Sequence, residues 1–332
     1  MPRSIVSAAA VDAGPVDTGA VDTAAAVDLS VEVAGLRLPN PVMTASGCAA
    51  AGRELDTFFD VSALGAVVTK SIMLDPRSGR PTPRMAETPS GMLNSIGLQG
   101  PGIDAFLATD LPWLVARGAR PIVSIAGSTL GEFTELARRV AVSPGVRGIE
   151  VNISCPNVEN RGLVFACDPY SAASVVAAVR RDVPREIPVF AKLSPDVTDL
   201  VSVARSVVAA GASGLVMVNT LLGIAIDPVT LRPVLGGVTG GLSGPAIRPV
   251  AVRCVWQVHA ALPDVPIVGV GGIRSGADAI EFLAAGASAV QVGTGTFHDP
   301  SAPMRVVHEL CDELAVRGIH SPADVVGIAH RP

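Results

Sequence analysis

Eight short apolar runs, spread along the chain and separated by polar or helix-like stretches, constrain this sequence more than any other feature. They are VMTASG (42–47), GAVVTK (65–70), PIVSIAG (121–127), GIEVNIS (148–154), PVFAKLS (188–194), GLVMVNT (214–220), PIVGVGG (266–272) and AVQVGTG (289–295). A strand that reads as a nearly continuous apolar run has both faces covered, as in a parallel sheet wrapped by helices. Helical spacing falls between the runs, over Glu132 to Val140, Asp199 to Ala210, Pro245 to Leu262, Ala277 to Ala285 and Pro303 to Val316. Gly211 and Gly286 follow two of these segments, where glycine commonly ends a helix. The alternation predicts an α/β chain folded as a (β/α)8 TIM barrel, with long loops over its C-terminal face. A doubly wound open sheet is the competing architecture. It normally carries GxGxxG after its first strand, and no such turn follows VMTASG.

Composition narrows the class further. The 332 residues are 49% hydrophobic, 17% charged and only 3% aromatic, with a net charge of −5. Their mean hydropathy is +0.47. Such apolarity excludes disorder over most of the length. The acidic balance argues against nucleic acid as a partner. Five cysteines without a CxxC pair or a Cys/His cluster exclude a disulfide scaffold and a zinc or iron–sulfur site within the chain, and fit a reducing cytoplasm. The 21 uncharged residues from Ser206 to Ile226 are long enough for a membrane span, but Gly211-Ala212-Ser213-Gly214 breaks them. They read as a helix end, a turn and a buried strand. Residues 1–27 hold the near-repeat VDTGAVDTAAAVD and no aromatic, and are expected to be a mobile extension. The barrel is expected over 28–318, with a tail over 319–332.

A barrel places its chemistry at the C-terminal ends of its strands. Those ends are Ser46, Lys70, Ser124, Asn152, Lys192, Asn219, Gly271-Gly272 and Gly293-Thr294. The longest connections, roughly 71–101, 154–168 and 221–244, follow the second, fourth and sixth runs and fall on the same face. Gly-rich turns after the last two strands either bind a phosphate through bare backbone N–H groups or simply pack tightly. A lysine at a strand end either snorkels to the surface or stabilises negative charge on a ligand, and two lysines facing one mouth favour the second role. Cys155 lies in NISCPN, flanked by Asn152 and Asn157. It is either a small buried hydrophobe or an acid/base group or nucleophile. Cys48, Cys167, Cys254 and Cys311 lack such flanks and read as structural. No Ser-His-Asp arrangement with a nucleophile elbow is present.

In order, the chain carries NPVMTASG, VVTKS, RPTPRMAETPSGMLNSIGLQGPG, EVNISCPNV, AKLSPDVTD, VNT, TGGLSGPAIRPVA, GVGGI and AVQVGTG. Together these motifs resemble the class 1 dihydroorotate dehydrogenases, and most of all the catalytic subunit of the 1B branch. The resemblance spans about residues 28–300. Class 2 enzymes, which attach to membranes, resemble the chain less, since they carry serine in place of Cys155 and an amphipathic N-terminal extension.

The resemblance implies a barrel holding FMN that oxidises (S)-dihydroorotate to orotate in de novo pyrimidine (UMP) biosynthesis. Cys155 would remove the C5 proton while hydride passes from C6 to flavin N5. Lys70 would touch both substrate and flavin. Asn94, Ser95, the Ile96-Gly97-Leu98 backbone, Asn152, Asn157, Asn219 and Thr220 would hold the substrate. Lys192 would stabilise negative charge at the flavin N1/O2 edge. Ser46, Ser71, Ser124, Asn152, Val218 and Gly244 would line the FMN, with Gly271, Gly272, Gly293 and Thr294 at its phosphate.

The 1B resemblance further implies a partner subunit carrying FAD and a [2Fe–2S] cluster that passes electrons to NAD⁺, and assembly as a heterotetramer. A homodimeric 1A-like enzyme using fumarate fits the motifs less well. No nucleic-acid or membrane partner is implied. Two departures stand out: Ser124 where relatives often have Asn, and Arg161 in ENRGLVFAC where 1B relatives usually have a Gly-Gly pair. A dihydropyrimidine dehydrogenase-like flavin domain shares several motifs but usually lacks GMLNSIGLQ. A non-catalytic flavin-binding barrel is opposed by the intact set of Lys70, Asn152, Cys155 and Lys192.

Overall fold

The computed structural model describes residues 27–153 and 168–331. All eight apolar runs are strands: β1 (Val42–Thr44), β2 (Val67–Val68), β3 (Pro121–Ile125), β4 (Gly148–Asn152), β5 (Val189–Leu193), β6 (Gly214–Met217), β7 (Ile267–Val270) and β8 (Ala289–Val292). They form one parallel sheet in the order β1-β8-β7-β6-β5-β4-β3-β2. A parallel bridge between Met43 and Ala66 joins the two ends into a ring. The Thr44 hydroxyl reinforces that seam, donating to Val68 O at 3.1 Å and accepting from Val68 N at 2.9 Å. The fold is the expected (β/α)8 barrel.

The helices follow the strands because their apolar positions recur at helical spacing and their ends carry caps. Leu130–Ala141 is capped by Thr129, Leu200–Ala209 by Asp199, and Gly276–Ala284 by a reciprocal Ser275–Asp278 box. Leu111–Ala116, Pro169–Asp182, Arg248–Ala261 and Ala302–Val316 complete the outer ring. Between β1 and β2 the chain makes only two short 3-10 turns, Leu55–Thr57 and Val61–Ala63. The Ser206–Ile226 stretch divides into the end of a helix and β6, and no helix among the described residues is long and apolar enough to cross a membrane.

Strand alternation sorts the core into two populations. Ile149, Val151, Val189, Ala191, Leu193, Leu215 and Val290 face outward and pack under the helices. Ile122, Phe190, Val216, Val268 and Ala289 face the barrel axis. An antiparallel hairpin, Val31–Val33 with Leu36–Leu38, joins that inner cluster through Val33 and Leu38. Residues 319–331 fold back over the helices, with Val325 buried, Gly327 N bonded to Leu283 O and His330 stacked on Trp256.

The long connections after β2 and β6 build one structure together. Met85–Thr88, Gly91–Asn94, Leu221–Gly223 and Gly240–Ser243 form a four-stranded antiparallel sheet. Its central pairing sets Asn94 against Gly241 and Leu93 against Leu242. Asp196, just beyond β5, accepts Leu222 N at 2.9 Å and ties this sheet to the barrel rim.

The turn after β7 is held by Asp278. Its carboxylate accepts Arg274 N at 2.8 Å and Ser275 N at 3.1 Å, and pairs with Arg248. Asp278→Ala should therefore cost roughly 2 kcal/mol, since a cap and a charged hydrogen bond are lost together. Thermal denaturation should show a melting temperature a few degrees lower. An unchanged value would mean that Arg248 and Ser275 hold the turn without Asp278.

Candidate active site

At the C-terminal rim of the barrel, two adjoining lobes share a wall made of Ser46, Cys48, Met92, Asn219, Thr220, Ser243, Thr294 and Phe297. The first lobe has a volume of about 450 Å³ and takes in Lys192, Val218, Gly244, Gly271, Gly272 and Gly293. The second, about 640 Å³, takes in Lys70, Ser71, Asn94, Ile96, Gly97, Leu98 and Asn152. Residues at or just beyond the C-terminal ends of β1, β2, β4, β5, β6, β7 and β8, with residues of the four-stranded excursion sheet, thus converge on one cleft, as barrel topology requires.

The first lobe combines bare glycine turns with a buried lysine. Gly271 and Gly272 end β7 with φ of +140° and +78°. A Cβ on Gly272 would lie 2.7 Å from Gly244 O and 2.9 Å from Arg248 Cβ, so the turn stays bare. A Cβ on Gly293 would meet Ala45 Cβ at 3.2 Å. Exposed backbone of this kind lets phosphate oxygens approach N–H groups closely. Deeper in the lobe, Lys192 projects from β5, its side chain only 4% exposed. Its Nζ donates to Ser46 Oγ at 3.0 Å and lies 3.4 Å from Glu150 Oε1. Bare glycine turns at one end and a buried ammonium on the wall match the charge pattern of FMN, an anionic phosphate joined to a ring that gains negative charge on reduction.

The second lobe is lined with amides. Asn219 Nδ2 donates to Asn152 Oδ1 at 3.3 Å, and Asn152 Nδ2 donates to Ser71 Oγ at 3.1 Å. Asn94 sits on the excursion strand, with Nδ2 3.3 Å from Gly241 O. Lys70 enters from the end of β2, half-buried. Amides that donate and accept, beside an ammonium, suit a small, polar, planar carboxylate.

Two expected lining residues stand elsewhere. Ser124 is fully buried below the cleft, its Oγ 2.9 Å from Ser71 Oγ and donating to Glu150 Oε1 at 3.2 Å. Alternation points it inward, but it sits too low on β3 to reach the cavity. Ser95 is buried behind the excursion strand and accepts from Arg80 Nη1 at 3.1 Å. Cys155, Asn157, Arg161 and Cys167 lie outside the described residues.

Cys48, read from the sequence as structural, lines the cleft, and two polar residues that sequence reasoning did not single out, Glu150 and Gln291, are buried in the barrel beneath it. Cys48 lies on the shared wall, where burial pushes its thiol up to about 11 against the weaker opposing pull of Lys192 and Lys70. Glu150 and Gln291 carry the signal that should have marked them. Glu150 is a charged residue at an inward position in the middle of GIEVN, below Asn152 at the strand's end, and Gln291 is the one polar residue of AVQV. No cluster of metal-ligating side chains occurs among the described residues.

Comparison with known proteins agrees with this geometry. The family model described as dihydroorotate dehydrogenase matches residues 28–314. The protein from Geotalea daltonii named dihydroorotate dehydrogenase B (NAD(+)), catalytic subunit, is 52% identical over 300 residues, covering 90% of this chain and 97% of its own length. Proteins of the same name from Pelobacter propionicus and Anoxybacillus flavithermus are 52% and 50% identical, covering 90% and 86% of this chain and 98% and 92% of their own lengths. With the barrel, the two-lobed cleft and a match over nearly the whole length in agreement, the chain belongs to the dihydroorotate dehydrogenase family.

Proposed function

We propose that this chain is the catalytic subunit of a dihydroorotate dehydrogenase of the B type, oxidising (S)-dihydroorotate to orotate in pyrimidine biosynthesis. The observation that carries this is the joining of two unlike lobes in one cleft of a family member. One lobe offers bare glycine turns and the Lys192 ammonium; the other offers Asn94, Asn152, Asn219 and Lys70.

FMN fits the first lobe, and when bound it supplies the acceptor for the hydride that leaves C6 of the substrate. Gly271, Gly272, Gly293 and Thr294 hold its phosphate end, while Ser46, Val218, Gly244 and Lys192 line the rest. Lys192 places a fixed positive charge where reduction adds negative charge, and needs no reorganisation to do so. Asn94, Asn152, Asn219 and Thr220 orient the substrate ring through its amides, with the Ile96-Gly97-Leu98 backbone beside it. Lys70 contacts both the substrate and the flavin from the shared side of the cleft. Cys155 takes the C5 proton, so that proton and hydride together account for the two hydrogens removed.

The wider assembly follows from the chemistry. Electrons that arrive in pairs must leave this chain, and it has no cysteine spacing for a cluster. A partner subunit carrying FAD and a [2Fe–2S] centre passes them to NAD⁺, in the cytoplasm.

The purified protein should be yellow and, under anaerobic conditions, bleach with dihydroorotate but not with dihydrouracil. NAD⁺ alone should fail to restore the absorbance until the partner subunit is added. A colourless protein that gains no flavin absorbance with added FMN would refute the assignment. Bleaching by dihydrouracil would move the substrate to an uncharged pyrimidine.

A further inference from the structure

We infer that Glu150 is a positioning residue for this site: its carboxylate, sealed in the barrel axis, anchors Lys192 and sets the direction of a hydrogen-bond relay that joins the two lobes. Glu150 sits on β4 at an inward position, with no solvent exposure. It receives three groups from three other strands. Lys192 Nζ from β5 lies 3.4 Å away, Ser124 Oγ from β3 donates at 3.2 Å, and Gln291 Nε2 from β8 donates at 3.0 Å. A carboxylate is costly to strip of water, and it is tolerated here because both oxygens are bonded and one faces an ammonium.

The relay has a single direction. The one hydroxyl proton of Ser124 goes to Glu150, so Ser124 must accept from Ser71, 2.9 Å away. Ser71 in turn accepts Asn152 Nδ2, which leaves Asn152 Oδ1 to accept Asn219 Nδ2. Every donor points toward Glu150. An ionised carboxylate accepts only, so it fixes which end of Asn152 faces the substrate lobe. On the other side, the same Oε1 holds the Lys192 ammonium against Ser46 in the cofactor lobe. Glu150 touches neither lobe and acts through Asn152 and Lys192.

The electrical consequence is specific. Reduction of the cofactor adds negative charge beside Lys192, and Glu150 offsets part of that lysine's attraction. The carboxylate therefore makes the bound cofactor harder to reduce than Lys192 alone would. This inference rests on the FMN assignment, so its test has one arm with flavin and one without.

In the first arm, the midpoint potential of the flavin-loaded protein is measured anaerobically for wild type and Glu150→Gln, a nearly isosteric change. Removing the charge should raise the ratio of reduced to oxidised flavin about tenfold at a fixed solution potential, an upward shift of about 30 mV for two electrons. Lys192→Met should shift it downward. In the second arm, melting temperatures are taken on flavin-free protein. Lys192→Met should melt lower than the Lys192→Met/Glu150→Gln double variant, because only the single variant strands a buried carboxylate. Flavin failing to bind wild-type protein would remove the FMN assignment while leaving the second arm intact. An unmoved or lowered potential in loaded Glu150→Gln, or a double variant that melts no higher than Lys192→Met, would overturn the role given to Glu150.

Discussion

Replacing Cys155 with alanine should slow reduction of the bound flavin by dihydroorotate by 10²- to 10⁴-fold, the usual contribution of a positioned general base. The flavin spectrum and the melting temperature should barely change. Cys48 is the natural rival, because it lies on the wall shared by the two lobes. Its burial argues against it. Burial pushes that thiol up to about 11, against the weaker pull of Lys192 and Lys70, which favours the protonated form at pH 7. Cys48→Ser should therefore keep turnover within a few-fold of wild type. Stopped-flow reduction of the two variants side by side decides the matter: full rates in Cys155→Ala, or loss in Cys48→Ser alone, would reassign the base.

Gly272→Val should abolish flavin retention. At φ of +78° a β-branched residue is strained by about 1–3 kcal/mol before any contact is counted. Its Cβ would then press on Gly244 O at 2.7 Å and Arg248 Cβ at 2.9 Å, two segments that themselves shape the lobe. Relief requires the turn to move, and with it the N–H groups assigned to the phosphate. A loss of roughly 3 kcal/mol is more than a hundredfold in affinity. The variant should purify colourless, with FMN titration confirming the weakened binding and circular dichroism showing the barrel intact. Gly318→Ala is the matched control. Its φ is also positive, at +66°, but nothing lies within 4 Å of the added Cβ, so flavin content should be unchanged. A yellow Gly272→Val protein would remove the phosphate from this turn.

How much of this was legible beforehand depends on the range of the interaction. The eight strands could be read because each is a short Val/Ile-rich run buried on both sides, a local signal. Lys192 and Asn152 could be placed in the mouth because polar residues at strand ends have one place to go in a barrel. At Ser124 the same logic does not meet the cavity: the hydroxyl lies in the buried layer beside Glu150, and no residue of β3 lines the cleft. That logic also missed Glu150 and Gln291, whose inward position is plain from alternation but whose partners lie on other strands.

The excursion sheet shows the limit more sharply. Met85–Thr88 and Gly240–Ser243 are four residues each, too short and too polar to announce themselves. Gly91–Asn94 pairs with a strand some 150 positions away, and that pairing positions Asn94 and buries Ser95.

Periodicity and strand-end chemistry alone were thus sufficient for the barrel, its working face and the ammonium and amide groups that crowd there. Those features follow from local burial, which repeats along the chain. Only the folded molecule decides that the cleft has two lobes, that Ser124 faces a buried carboxylate instead of a ligand, and that every donor in the relay points to Glu150. These depend on contacts between strands far apart in sequence, where a single step in register or height exchanges a wall residue for a buried one.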